Sequence, residues 1–366
     1  MAGDPARLRF GIEAEFALVH RERGFCDFSS LSYAEAQRIV DRLPDHGDPD
    51  LTRGDLAVKL TRWYVEGDER FDEDGAFLAC VPKGLETRTP VRPTIAATVA
   101  QLAGQTAELA RAAAVDGFRL ASVGRNPWRD YRPDPPYNGW ETAMHARKPE
   151  YAAPEAYMVG YGPDVNLSHP DWDPDKVLDV GRKLTALSPA LVPFSFSSPF
   201  AAGEVVALST RTLIRAPARP SARAFLPAAR PPVGVAARIP AEIGRIEFKA
   251  FDAPPTPDLY GPLLALVAGL ALDDTIGARA DRPDPGAHER AARHGFDDPD
   301  TRTAAGHVLD AADRALAGTL GGGVLEPLRQ LLDRRRTPAH DLIDTFRRTG
   351  EIPLPEPYRP PEREAR

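Results

Sequence analysis

The sequence predicts an α+β fold in which a sheet with a polar, concave face is flanked by helices. Two observations carry this. Four well-separated segments alternate apolar and polar residues with a period of two, and their polar sides carry carboxylates and bases. From Thr256 onward the apolar spacing is helical instead. The first of the four segments, residues 8–19, shows the pattern best: Leu8, Phe10, Ile12, Ala14 and Phe16 fall on one side, and Arg9, Glu13 and Glu15 on the other. Acids are depleted in strands, and two on one face repel unless water, a base or a cation lies between them. Taken alone, this strand reads as a solvated outer face.

The other elements follow in chain order. Ser32-Tyr33-Ala34-Glu35 has the form of a capping box, and the spacing of Ala36, Ile39, Val40 and Leu43 predicts a short helix after it. Residues 62–66 and 76–81 are strand-like and flank turn chemistry at Asp72-Glu73-Asp74-Gly75, which predicts a hairpin. Its continuation, residues 83–90, puts Glu86 and Arg88 on one face. Residues 94–116 have the composition of a long helix capped by Gly117, and 118–124 of a short strand. The aromatic, proline-rich residues 125–155 read as a long ordered loop, with Trp128, Tyr137 and Trp140 as its own small core.

Residues 161–168 predict a strand with Asp164, Asn166 and Ser168 on one face, and Asp173-Pro174 opens a helix to about Leu187. A turn over 193–200 and a segment over 205–214 that carries Arg211 come next. The Pro-, Ala- and Arg-rich residues 216–241 read as a surface loop or flap. Residues 245–252 are the last clear strand, with Arg245, Glu247 and Lys249 on one face. Helices are predicted over 257–277, 301–318 and 324–335, and from Thr337-Pro338 to just before Gly350. The whole reads as one domain over residues 1–350, with a sheet-bearing core over 8–275, a helical part over 276–350 and a mobile Pro-rich tail over 351–366.

Composition narrows the function classes. A chain of 366 residues with 42% hydrophobic and 27% charged residues is ordinary for a globular protein with a sizeable core. A net charge of -7 implies no general attraction to nucleic acid or an anionic membrane. No apolar run is long enough to span a bilayer and the first residues lack a signal-peptide core, so a cytoplasmic location is expected. Cys26 and Cys80 have no metal-ligand spacing and are expected to be unpaired thiols.

One acidic strand is an outer face more often than a site. The same arrangement repeated at Glu13 and Glu15, at Glu86 and Arg88, at Asn166, and at Glu247 and Lys249 is what a sheet with a catalytic concave face requires. Carboxylates gathered without histidine or cysteine suit hard divalent cations bound together with substrate phosphates. The usual phosphate loops are absent, as is a His-Glu-x-x-His pair.

The ordered set Gly11-Ile12-Glu13-Ala14-Glu15, Gly84-Leu85-Glu86-Thr87, Asp164-Val165-Asn166-Leu167-Ser168, Phe196-Ser197-Ser198-Pro199-Phe200 with Ser209-Thr210-Arg211, and Ile246-Glu247-Phe248-Lys249 resembles the glutamate-cysteine ligase family. It is most similar to the plant-type and actinobacterial carboxylate-amine ligases, over residues 8–275 or so. The resemblance implies a glutamine-synthetase-like fold, an antiparallel sheet whose concave face binds ATP and Mg²⁺, and amide formation through an acyl phosphate. It implies Glu13, Glu15, Glu86 and Glu247 as metal ligands, with Glu86, Glu247 and Arg211 in catalytic roles. Asn166, Arg211 and Lys249 would line the nucleotide site, with Arg211 as a phosphate clamp.

Lys249 stands where this family usually has arginine, which exchanges a planar fork for a point charge. Asp164 and Ser168 also depart from the family pattern. These departures bear on the amino-acid substrates more than on metal or ATP. The expected acid is the γ-carboxylate of glutamate, and the amine is cysteine, another amine or a peptide. The alternatives are an inactive relative that binds nucleotide or peptide as a partner protein, and a guanidino-type kinase.

Overall fold

The alternation over the first segment builds β1 (Arg9–His20), and its twelve residues are long enough to serve four partners in the computed structural model. Its first half pairs antiparallel with β4 (Phe77–Arg88) on one edge and β6 (Asp164–Ser168) on the other. Its last four residues pair with β2 (Gly24–Cys26) and β5 (Phe118–Ala121). β3 (Trp63–Phe71) completes a hairpin with β4. Beyond β6 come β11 (Arg245–Phe248), β9 (Ala222–Leu226) and β10 (Gly234–Ala236), so the curled sheet runs β10-β9-β11-β6-β1-β4-β3. All pairings within it are antiparallel except β9 with β10. The structure describes residues 5–51, 61–147, 153–317 and 323–358.

The apolar back of this sheet is the core. Phe10, Ile12, Ala14, Val165, Leu167, Ala222, Ala224, Ile246 and Phe248 are all buried, and they pack with α2 (Ile95–Val115), α5 (Pro174–Leu191) and α7 (Tyr260–Leu272). α7 is apolar all round because it is surrounded: α2, α5, α9 (Pro299–Leu316) and α10 (Glu326–Asp333) all pack against it. α1 (Tyr33–Val40) covers the outer hairpin, and its capping box between Ser32 and Glu35 is formed. Thr94 caps α2, Asp173 caps α5, and Gly350, in the left-handed region, ends α11 (Pro338–Thr349). Cys26 and Cys80 are buried and form no disulfide among the described residues.

Four expectations are corrected. Residues 125–155 are not simply a loop: they hold α3 (Gly139–Arg147) and the start of α4 (Pro154–Met158), with 148–152 outside the described residues. α3 is held by long-range bonds, since Glu141 takes Arg70 Nε at 2.8 Å and the Phe71 amide at 2.9 Å, and proline-rich flanks hide it locally. Residues 216–241 are no flap, because β9 lies wholly buried inside the sheet. Its core-facing residues, Ala222 and Ala224, are small, and Arg223 alternates with them, so it lacks the β-branched signature of a strand. A helix was missed at α8 (Pro285–His294), capped by Asp284. The stretch read as a mobile tail begins by docking: Pro355 O accepts the Ser122 amide at 2.8 Å, and Leu354 packs beside β5. Residues 359–366 lie outside the described residues.

The remaining short elements, β7 (Phe200–Ala201), β8 (Glu204–Val205) and α6 (Thr210–Arg215), lead from α5 into β9. β1 and β4 pack tightly at Gly84, where an added Cβ would stand 2.1 Å from Phe16 O. Gly84→Ala is therefore expected to lower the free energy of unfolding in urea by about 1–3 kcal/mol, as overpacking against backbone does. An unchanged denaturation midpoint would mean that the two strands separate freely.

Candidate functional site

Antiparallel register decides which side chains meet. Glu13 faces Arg88 on β4 and Asp164 on β6, Glu15 faces Glu86, Glu86 faces Tyr64, and Glu247 faces Asn166 and Arg223. Directly opposed residues share a face of the sheet, so one concave surface carries all of them. All of them except Asn166 line one cleft that opens to solvent.

Within the cleft the carboxylates form two groups. Glu13, Asp164 and Glu247 offer oxygens within 4.8 Å of one another, and so do Glu15, Glu66 and Glu86. The four glutamates singled out in the sequence are thus divided two and two. Each pair gains a third member that the sequence reading did not select. Asp164 shares the polar side of its strand with Asn166, and Glu66 lies two residues from Tyr64 on the strand facing Glu86, so alternation alone could have found both.

Each group has a lysine. A register shift between Glu66 and Gly67 leaves Lys83 as the extra residue of a bulge in β4, and bulges re-aim side chains. Buried Lys83 donates from Nζ to Tyr157 O at 2.9 Å and Gly160 O at 2.8 Å, and it stands 3.0 Å from Glu15 Oε1. Across the cleft Lys249 pairs with Asp164 and lies 3.2 Å from Glu247 Oε2. Burial works against the Lys249 ammonium, yet Asp164 and Glu247 hold it above its ordinary value. Burial also raises the Asp164 carboxyl, to about 7 against the pull of Lys249, with Glu247 and Glu13 adding to the rise. All-oxygen donors of this kind suit Mg²⁺ rather than a softer ion.

Arginines line the same cleft. Arg211, Arg215, Arg219 and Arg223 recur every four residues from α6 into β9, and all four line the cleft with Arg238. Only Arg211 was expected, although the spacing of the other three was legible. Burial, and then Arg211 and Arg219, push the Arg215 guanidinium well below its ordinary value. Its Nη2 donates to Pro220 O.

Arg211 itself is tied more to the backbone than a free clamp would be. Its Nη1 donates to Phe251 O at 2.7 Å and Ala250 O at 3.2 Å, and stands 3.8 Å from buried Asp252. Its Nε is buried and has no hydrogen-bond acceptor among the described residues. Asn166 donates to Glu13 Oε1 at 3.1 Å and accepts from Arg245 at 3.2 Å. It lines a neighbouring pocket with Arg9, Asp50, Ser168 and Arg245, which shares Glu13, Arg88 and Arg238 with the main cleft.

The sheet and its flanking helices make up a glutamine-synthetase-like α+β fold. The same fold is seen in three solved structures. A bifunctional glutathione synthetase from Pasteurella multocida is 13% identical, with 93% of this chain and 50% of that one covered and a TM-score of 0.56. A glutamate-cysteine ligase from Francisella tularensis, in complex with AMP, is 13% identical over 94% of this chain and 85% of that one, with a TM-score of 0.56. The ligase PafA, in complex with the prokaryotic ubiquitin-like protein Pup, is 12% identical over 96% of this chain and 71% of that one, with a TM-score of 0.55. The chain spans half the length of the first of these. No curated protein sequence matches it. The family model of glutamate-cysteine ligase family 2 matches residues 9–228, and the chain belongs to that family of ligases.

Arg211 supplies the cation beside Asp252, whose carboxylate also accepts from the Ser197 amide, Ser198 Oγ and Ser209 Oγ. Removing one partner of a buried charge pair costs about 3–5 kcal/mol. Arg211→Ala is expected to lower stability by that order in chemical denaturation, with Arg211→Lys losing less. A full-stability Arg211→Ala protein would show that the serine network alone satisfies Asp252.

Proposed function

We propose that the protein is an ATP- and Mg²⁺-dependent carboxylate-amine ligase acting through an acyl phosphate. The observation that carries this reading is one cleft lined by two carboxylate trios and by Arg211, Arg215, Arg219 and Arg223. Polyphosphate transfer is catalysed chiefly by positioning and charge neutralisation, and this cleft offers both. Glu13, Asp164 and Glu247 would hold one Mg²⁺, and Glu15, Glu66 and Glu86 a second, and metal bound there would neutralise charge on the phosphate oxygens.

The residues of the chain do the rest. The arginines would hold the triphosphate in the cleft, with the unfilled Nε of Arg211 as one donor. Lys83 orients Glu15, and Arg245 with Asn166 orients Glu13. In the reaction the acid's carboxylate oxygen attacks the γ-phosphorus and ADP leaves. The amine then attacks the acyl carbon, phosphate departs, and the amine nitrogen gives up a proton. The acid we propose is glutamate, through its γ-carboxylate, and the amine cysteine, another amine or a peptide. Membership of the ligase family supports this choice of reaction.

Hydroxylamine tests it, because it intercepts an acyl phosphate whatever the natural amine is. With ATP, Mg²⁺ and glutamate it is expected to give a hydroxamate together with ADP and phosphate. ADP without hydroxamate from any acid in a panel would sink the ligase, and a stable phosphorylated guanidino compound would replace it with a kinase. Glu13→Gln and Glu15→Gln are each expected to abolish ATP turnover while circular dichroism stays unchanged. Wild-type turnover in either would return that residue to a solvated-face role.

A further inference from the structure

The row of acids on β3 does not stop at Glu66. Asp68, two residues on, is almost fully buried, and three tyrosines from a distant part of the chain converge on it. Tyr131 Oη donates to its Oδ2 at 2.6 Å, Tyr137 Oη to the same oxygen at 2.9 Å, and Tyr157 Oη to its Oδ1 at 3.1 Å. Burial first, and then the Asp68 charge, raise all three phenols far above their ordinary value, so all three remain donors at any working pH. Three hydroxyls on one carboxylate leave it little capacity for a metal. The acid next to the Glu15, Glu66 and Glu86 trio has another task.

That task can be traced through Tyr157, which lines the main cleft. Its carbonyl holds the Lys83 ammonium at 2.9 Å, and its ring lies under the Arg219 guanidinium at 5.3 Å. Lys83 stands 3.0 Å from Glu15 and 3.8 Å from Glu66, two of the three acids in the trio. One phenol bond therefore fixes the segment that aims a lysine at the trio and supports an arginine of the cleft. The two other phenols come from the stretch before α3, which Arg70 also holds through Pro135 O at 2.9 Å and Glu141 at 2.8 Å.

We infer that Asp68, through its three tyrosines and Lys83, is a positioning residue for the metal site formed by Glu15, Glu66 and Glu86, and sets how tightly that site binds a divalent cation. Residues that orient metal ligands typically change affinity by about 10–100-fold when they are lost. Lys83, which carries the tie, pairs with Glu15 and Glu66, so the other trio, Glu13, Asp164 and Glu247, should not respond. The inference rests on the proposed metal sites and adds to them a determinant that lies outside both.

Mn²⁺ titration of the full chain, followed by electron paramagnetic resonance, tests it without relying on turnover. The wild-type protein is expected to bind two ions. In Asp68→Asn one of the two should weaken about tenfold or more while the other holds. Tyr157→Phe, which keeps the carbonyl and the ring and loses one bond, should weaken the same ion by less. If Asp68→Asn does not fold, Tyr157→Phe carries the test alone. A lowered melting temperature with both Mn²⁺ affinities unchanged would make the tyrosine clasp a stability element and overturn this inference, leaving the ligase reading intact. A wild-type protein that binds no Mn²⁺ would overturn both.

Discussion

Glu13 and Glu15 stand on the same face of one strand, and their repulsion is the constraint to which the surrounding structure answers. β1 cannot turn them outward without exposing Phe10, Ile12, Ala14 and Phe16, because a strand has only two faces. Each carboxylate is therefore answered in place. Glu15 receives Lys83 and the Gly162 amide, and Glu13 receives Arg245 and the Asn166 side chain. These partners come from β4, from the stretch before β6, from β6 and from β11, so the charge problem of one strand fixes the neighbourhood of four. Removing charges from such a surface would ease the packing. Retaining them makes it a place where bound cations lower the energy of the folded chain.

How much of this was legible follows from the range of each interaction. Alternation on β1, β4, β6 and β11 is local, so the polar faces and the residues Glu13, Glu15, Glu86, Asn166 and Glu247 could be read directly. Caps are local too, and those of α1, α5 and α11 were found where Ser32, Asp173 and Thr337 place them. The division of the acids into two trios depends on register between strands far apart in the chain, and no single segment carries it. β9 was misread because Ala222 and Ala224 on its buried face and Arg223 on its cleft face hide the strand pattern. Its strand character comes from its place between β10 and β11 and from no propensity of its own.

Arg211 shows the same limit from the other side. Its position after Ser209 and Thr210 suggested a clamp on phosphate, and the cleft does reach it. What the sequence could not express is that buried Asp252 and the carbonyls of Ala250 and Phe251 also claim its guanidinium. The Arg211 side chain thus joins the end of β11 to the start of α6. A residue can hold the wall of a site in place and still offer its remaining nitrogen to a ligand, so structural and functional roles are not exclusive here.

Asp164 and Lys249 looked like two separate departures from the family pattern, one on each of two strands. In the folded chain they touch. β6 and β11 pair in antiparallel register up to Val165 and Phe248, which makes Asp164 and Lys249 the next opposed pair, and their side chains form an ion pair at the rim of the cleft. Asp164 adds a negative charge to the trio with Glu13 and Glu247, and Lys249 arrives with a compensating ammonium. At that position the Lys249 ammonium serves two carboxylates at once, Asp164 and Glu247. The two departures are one exchange, in which a negative and a positive charge enter the neighbourhood of the trio together.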